Sequence, residues 1–199
     1  MKVIGLCGGS GSGKGEASRI FSELGFAVID TDRVYHELTA SPSECTAALK
    51  KEFGESILTL DGAIDRKKLA ALVFSGDGAE LRRKKLNEIA HAYILGETRR
   101  RIKSYGGKYP AVIVDAPVLY ESGFDKECDA VVAVIAEPEV RIERIMARDS
   151  IERRLAEERI AAQMSNGELM SRADHTLINN GDLSELRSEA SRIADLILK

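Results

Sequence analysis

Residues 2–30 read KVIGLCGGSGSGKGEASRIFSELGFAVID. Residues 2–7 (KVIGLC) form an apolar run of strand length, and residues 8–14 (GGSGSGK) are rich in glycine. A helical pattern starts at Lys14 and is stopped by Gly25. Residues 26–30 (FAVID) are a second apolar run that ends on a carboxylate. Strand, glycine loop, helix and strand make a βαβ unit, which commits the chain to an α/β fold with a parallel sheet.

The loop Gly8-Gly9-Ser10-Gly11-Ser12-Gly13-Lys14 fits G-x-x-x-x-G-K and lies between a predicted strand and a predicted helix, as a P-loop requires. Glycines let successive backbone N–H groups curl around a phosphate without Cβ clashes, and the helix N-terminus adds partial positive charge. Lys14 supplies an ammonium for the β and γ phosphates of a nucleotide. Gly9, Ser10, Gly11, Ser12, Gly13, Lys14, Gly15 and Glu16 are therefore the predicted phosphate-binding segment. Such loops carry Ser or Thr after the lysine, to ligate Mg²⁺; here Gly15 and Glu16 follow it. Ser18, one helical turn beyond Lys14, is the candidate substitute, and a water-mediated magnesium ion is the expected arrangement.

Beyond the βαβ unit, residues 111–115 (AVIVD), 130–135 (AVVAVI) and 175–178 (HTLI) are predicted as three more buried strands. Residues 32–38, 138–148, 151–164 and 183–198 read as helices. The stretch 44–103 is polar and helical, with breaks at residues 60–62 and 75–78, and a strand at 57–60 is the one exception considered. The expected architecture is a P-loop NTPase fold: a five-stranded parallel sheet with helices on both faces, a helical substrate-binding insertion and a helical lid. The nucleotide-binding core takes residues 1–40, 104–140 and 171–199, the insertion 41–103 and the lid 141–170, within one domain spanning residues 1–199.

The composition excludes several functions. Twenty-nine basic and 32 acidic residues leave a formal charge of −3, against binding nucleic acid through a basic field. Aromatics are 5% and Trp is absent, so stacking platforms for single strands lack material. Residues 3–7 are too short an apolar run for a leader or a membrane span. Three cysteines without a C-x-x-C argue against a disulfide framework or structural zinc, and for a reducing cytoplasm.

Ligands of open parallel sheets lie beyond the carboxyl ends of the strands. Asp30 and Asp32 follow the second strand and Asp115 ends the third. Phosphoryl transfer needs one carboxylate to take the proton of the attacking hydroxyl and another to hold the metal. Asp32 is the candidate for the first role and Asp115, through water, for the second. Asp30 reads as a turn residue. Arg141, Arg144 and Arg148 share one helical face, either a solvated face or a phosphate clamp on the lid. Residues 99–101 read as a solvated helix end or an anion site. His91 is either a packing residue or a substrate contact.

Several segments together resemble the dephospho-coenzyme A kinase family over nearly the whole length. They are IGLCGGSGSGKGEA at residue 4, GFAVIDTDRVYHEL at 25, DGAIDRKKLAALVF at 61 and KLNEIAHAYI at 85, then VDAPVLYESG at 114, RIERIMARD at 141, ERIAAQM at 158 and ADHTLINNG at 173. Ala92 stands where the family has proline. The resemblance implies transfer of the ATP γ-phosphoryl group to the ribose 3′-hydroxyl of dephospho-coenzyme A, with Mg²⁺. It implies that Asp32, Lys14 and Arg148 are catalytic and that Arg148 and Asn180 contact ATP. Arg66, His91, Leu119 and Glu121 would join Asp32 around the acceptor. Its partner would be this small molecule, without nucleic acid or membrane; oligomeric state is not implied. A related nucleoside or nucleotide kinase, or a non-catalytic nucleotide-binding protein, are the alternatives.

Overall fold

The computed structural model of the chain describes residues 1–199. It divides into two compact units, Met1–Asp30 with Ile102–Lys199, and Thr31–Arg101.

The first unit is built on five parallel strands: β1 (Lys2–Cys7), β2 (Ala27–Asp30), β3 (Ala111–Asp115), β4 (Ala130–Ile135) and β5 (His175–Ile178). Their order is β2-β3-β1-β4-β5. These are the continuous apolar runs of the sequence, and the whole of β3 is buried. Helix α1 (Lys14–Glu23) brings Ala17, Ile20 and Phe21 onto the face carrying Ile4, Leu6, Ile113 and Val132. Leu186, Ala190, Ile193 and Ile197, one stripe of the last helix (Leu183–Leu198), join the same core. On the opposite face, a Cβ on Gly5 would lie 2.7 Å from Leu119, so the strand has glycine where the segment after β3 packs flat against it.

In the second unit, α2 (Thr31–Thr39) follows β2 directly and packs on α3 (Glu44–Phe53). Next come α4 (Arg66–Phe74) and α5 (Ala79–Tyr105), the last running beyond Arg101 into the first unit's residues. Cys45, Leu49, Ile57, Ile64, Leu69 and Val73 form the second unit's own core. The strand considered at 57–60 is absent. A 3-10 turn, Glu55–Ile57, leads into a single antiparallel bridge between Leu58 and Ile64. With no further strand to pair, that bridge closes only a turn through Gly62, whose φ is 83°.

Helix α6 (Pro138–Asp149), which Pro138 opens at a favoured position, runs from the predicted core into the segment 141–170 expected as the lid. The helix expected over 151–164 stops early and is α7 (Arg153–Ala161). A further helix, α8 (Asn166–Arg172), follows, started by a capping box between Ser165 and Glu168. That S-x-x-E signature is legible in the sequence. The last helix of the chain is α9 (Leu183–Leu198). No helix is long and apolar enough to cross a membrane.

Candidate active site

β1 delivers the glycine loop to the carboxyl edge of the sheet, and α1 begins at Lys14. Gly11 and Gly13 have φ of 78° and 87°, a region that strongly favours glycine. Glu16 and Ala17 both donate their backbone N–H to the Gly13 carbonyl, and Ser12 donates to Gly9. The backbone N–H groups of Gly11, Gly13, Lys14 and Gly15 take no acceptor from the protein. They form a ready anion cradle at a helix N-terminus. The Ser12 hydroxyl is buried inside the loop without a hydrogen-bond partner. Orphaned buried donors of this kind fit a phosphate.

The strand ends bring the carboxylates to the loop. Leu6 and Asp30 are both in register with Asp115. The Lys14 ammonium pairs with Asp115 Oδ1, their side chains 17% and 7% exposed. Burial raises the Asp115 pKa, the Lys14 charge and hydrogen bond and the Ser18 hydroxyl oppose that rise, and the Asp30 charge adds to it. Asp30, read as a turn residue, is thus the last residue of a paired strand and acts electrostatically on Asp115. Asp115, Asp30 and the Ser18 hydroxyl are hard oxygen donors of the kind Mg²⁺ takes, and they are too few to hold it without phosphate and water. Gly15 has no heavy atom within 4 Å of a Cβ position, so space for a side chain is present there.

The three arginines of α6 have different partners within the protein. Arg141 Nε donates to the Ser10 carbonyl at 2.9 Å, and Arg144 Nη1 donates to the Asn179 carbonyl at 2.9 Å and the Gly11 carbonyl at 3.4 Å. Arg148, the predicted phosphate contact, is held by Asp149 through bonds of 2.7 and 2.9 Å. It lies seven residues beyond Arg141, which is about 10 Å farther along the helix. Asn179 supports the loop: its buried Nδ2 donates to the Ser12 carbonyl at 2.8 Å. Asn180 Oδ1 instead accepts the Glu137 N–H at 2.8 Å.

Two pockets flank the loop. One of about 260 Å³ is lined by Cys7, Gly8, Gly9, Tyr120, Glu121 and Gln163. Arg172 stacks 3.9 Å over the Tyr120 ring and adds positive charge to this wall. Burial pushes the Cys7 thiol up to about 11, so it is a packing group and not a nucleophile. Leu119 does not belong to the pocket surface. Its side chain is 0% exposed, because it packs against Gly5 of β1. The other pocket, about 340 Å³, lies along Gly13, Glu16, Arg144, Asn179 and Gly181.

In the second unit, Asp32 is the second residue of α2 and is exposed. Arg66 opens α4, and its Nη1 lies 2.7 Å from His36 Nε2. His91 sits on α5, partly exposed. Residues 99–101 are not the end of α5, which continues to Tyr105. Arg100 and Arg101 pair with Glu97, and Arg101 also with Glu37.

Sheet order, glycine loop and helical lid define a P-loop kinase. Residues 2–185 match the family model for dephospho-CoA kinase. A dephospho-CoA kinase of Symbiobacterium thermophilum is 38% identical over 95% of this chain and 78% of its own. One of Fusobacterium nucleatum is 37% identical over 99% of both chains. A crystal structure from Thermus thermophilus superposes with a TM-score of 0.80 and 30% identity, covering 98% of this chain and 97% of its own. The chain belongs to the dephospho-CoA kinase family, and so is a nucleotide-using phosphotransferase that acts on a small molecule.

Proposed function

We propose that this chain transfers the γ-phosphoryl group of ATP to the ribose 3′-hydroxyl of dephospho-coenzyme A, the last step of coenzyme A synthesis, with Mg²⁺ as cofactor. The observation that carries the reading is the cluster at the loop. Unpaired backbone donors, a buried Ser12 hydroxyl and the Lys14–Asp115 pair meet at one strand edge.

In this reading the loop N–H groups bind the β and γ phosphates. Lys14 moves from Asp115 onto the γ-phosphoryl oxygens, where charge develops. Asp115, once released, and Ser18 would hold Mg²⁺ together with phosphate and water, and the ion would neutralise charge on the phosphate oxygens. Asp32, two residues along the chain from Asp30, accepts the proton of the 3′-hydroxyl as the new O–P bond forms. The bond between the γ phosphorus and the bridging oxygen breaks, and ADP leaves. Arg144, Asn179 and the second pocket serve the nucleotide; Glu121 and the first pocket serve the acceptor. Arg66 and His91 are acceptor residues by their match to the family's pattern. Cys7, Cys45 and Cys128 are free thiols, in keeping with a cytoplasmic setting.

The test is an acceptor panel: dephospho-coenzyme A, nucleosides and nucleoside monophosphates, each with ATP and Mg²⁺, products identified by mass. Turnover confined to dephospho-coenzyme A is expected. Turnover of another acceptor alone overturns the acceptor assignment, and no turnover with any acceptor overturns the kinase reading.

A further inference from the structure

Arg141 is 2% exposed, yet it has no carboxylate partner. Its guanidinium reaches only neutral oxygens: the Ser10 carbonyl at 2.9 Å, Gln163 Oε1 at 3.0 Å and Asn166 Oδ1 at 3.5 Å. A buried cation without a counter-ion is costly, so its retention calls for a role.

Ser10 shows what that role is. Its backbone N–H donates to Gln163 Oε1 at 2.9 Å, its carbonyl accepts from Arg141, and its hydroxyl accepts from Gln163 Nε2 at 3.2 Å. All three polar groups of this loop residue are thus held by two lid side chains. Gln163 Oε1 accepts from Arg141 and Ser10 together, so the two side chains form one clamp. Asn166 anchors the far side, donating to the carbonyl of Ala136, the residue after β4, at 2.8 Å.

The glycines of the loop are fitted to the same clamp. A Cβ on Gly9 would lie 2.3 Å from Arg141 Nη2 and 3.0 Å from Gln163 Oε1. A Cβ on Gly11 would lie 2.6 Å from the Arg141 carbonyl oxygen, which is backbone and cannot move aside. Residues 9–11 are therefore moulded onto Arg141, while the N–H groups of Gly11, Gly13, Lys14 and Gly15 stay open to an anion.

We propose that Arg141 and Gln163 act together as positioning residues, which hold Ser10 and so set the phosphate loop in its anion-binding shape. This deepens the nucleotide-binding part of the proposed function and rests on it, but not on the identity of the acceptor. Neither side chain need touch the nucleotide. The lid and the loop are coupled through Ser10, so whatever displaces residues 163–166 also alters the loop.

The experiment is calorimetric titration of ADP, without acceptor, into the parent protein and into Arg141→Met, Gln163→Leu and the double variant. Arg141→Met conserves much of the buried volume and removes the planar fork; Gln163 is exposed, so its replacement leaves the core alone. Each single variant is expected to bind ADP about tenfold more weakly or worse, the loss of a charge-assisted contact. The double variant is expected to be no weaker than the weaker single one, because the clamp is already open. Unchanged affinity in folded Gln163→Leu, or losses that multiply in the double variant, overturns the proposal. If Arg141→Met does not fold, Gln163→Leu alone decides: weaker ADP binding supports the clamp and unchanged binding overturns it. A parent protein that binds ADP but does not phosphorylate dephospho-coenzyme A sinks only the acceptor assignment. One that does not bind ADP sinks both.

Discussion

Lys14 carries more than a phosphate contact. It is the partner of a carboxylate that is only 7% exposed, so Lys14→Ala leaves Asp115 buried without its neighbouring cation. Turnover is expected to fall about 10²-fold or more, the usual cost of removing a contact to developing charge. Stability changes with pH in a defined direction. Burial already raises the Asp115 pKa in the fold, and Lys14 opposes that rise. Without Lys14 the folded pKa climbs further above the unfolded one, and the unfolded chain then binds fewer protons, so stability falls as pH rises through that window. The melting-temperature deficit of Lys14→Ala is expected to be larger at neutral pH than near pH 4; a deficit independent of pH contradicts the pairing. Gly15→Ser should be accepted, since a Cβ there meets nothing within 4 Å. Its melting temperature should stay within about 2 °C of the parent, with a magnesium response equal or stronger. Loss of turnover in that folded variant contradicts the water-mediated metal. Asp32→Asn keeps shape and hydrogen bonding but cannot take a proton. It is expected to cut turnover by about 10²–10⁴-fold with ATP affinity unchanged. Steady-state kinetics beside an ATP titration decides, and lost affinity with normal turnover assigns Asp32 to structure or metal instead.

At the scale of elements, α5 holds a carboxylate whose titration is measurable. Arg100 first, and then Arg101, hold the Glu97 pKa at about 2, against an ordinary 4.5. A depressed acid stabilises the fold above its unfolded pKa and loses that contribution as pH falls through the folded one. Glu97→Gln should therefore lower the melting temperature at pH 7 and flatten its fall between pH 4.5 and about 2; superimposable curves contradict the pairing. The elements also show what a sequence makes legible. Five apolar runs, a G-x-x-x-x-G-K loop and Pro138 are local signals, and each became the element it implied. Which protein groups Arg141, Arg144 and Arg148 reach is not a local signal. All three share a helical face, and the meeting point with the loop depends on where α6 leaves β4, across 131 residues of separation for Arg141 and Ser10. The bond from Asn179 to Ser12 is likewise not local: the register of β5 against β4 brings Asn179 to the loop. Leu119 could not be told from its exposed neighbour Val118 by pattern, because burial there follows from Gly5 on another strand. Helix α8 is legible in its capping box, Ser165 with Glu168.

The whole molecule combines a five-stranded nucleotide-binding sheet with a helical unit that has its own core. The sheet edge gathers donors for phosphate and the carboxylates Asp30 and Asp115. Membership of the dephospho-CoA kinase family turns that edge from a generic phosphate site into one for a defined transfer. The central claim concerns which oxygen receives the phosphoryl group. Phosphorus NMR of the product from the purified chain, ATP, Mg²⁺ and dephospho-coenzyme A measures this directly, with ADP quantified in the same sample. The account expects one new phosphomonoester on the ribose 3′-oxygen for each ADP formed. ADP without a phosphorylated acceptor, or phosphate on any other oxygen, contradicts it.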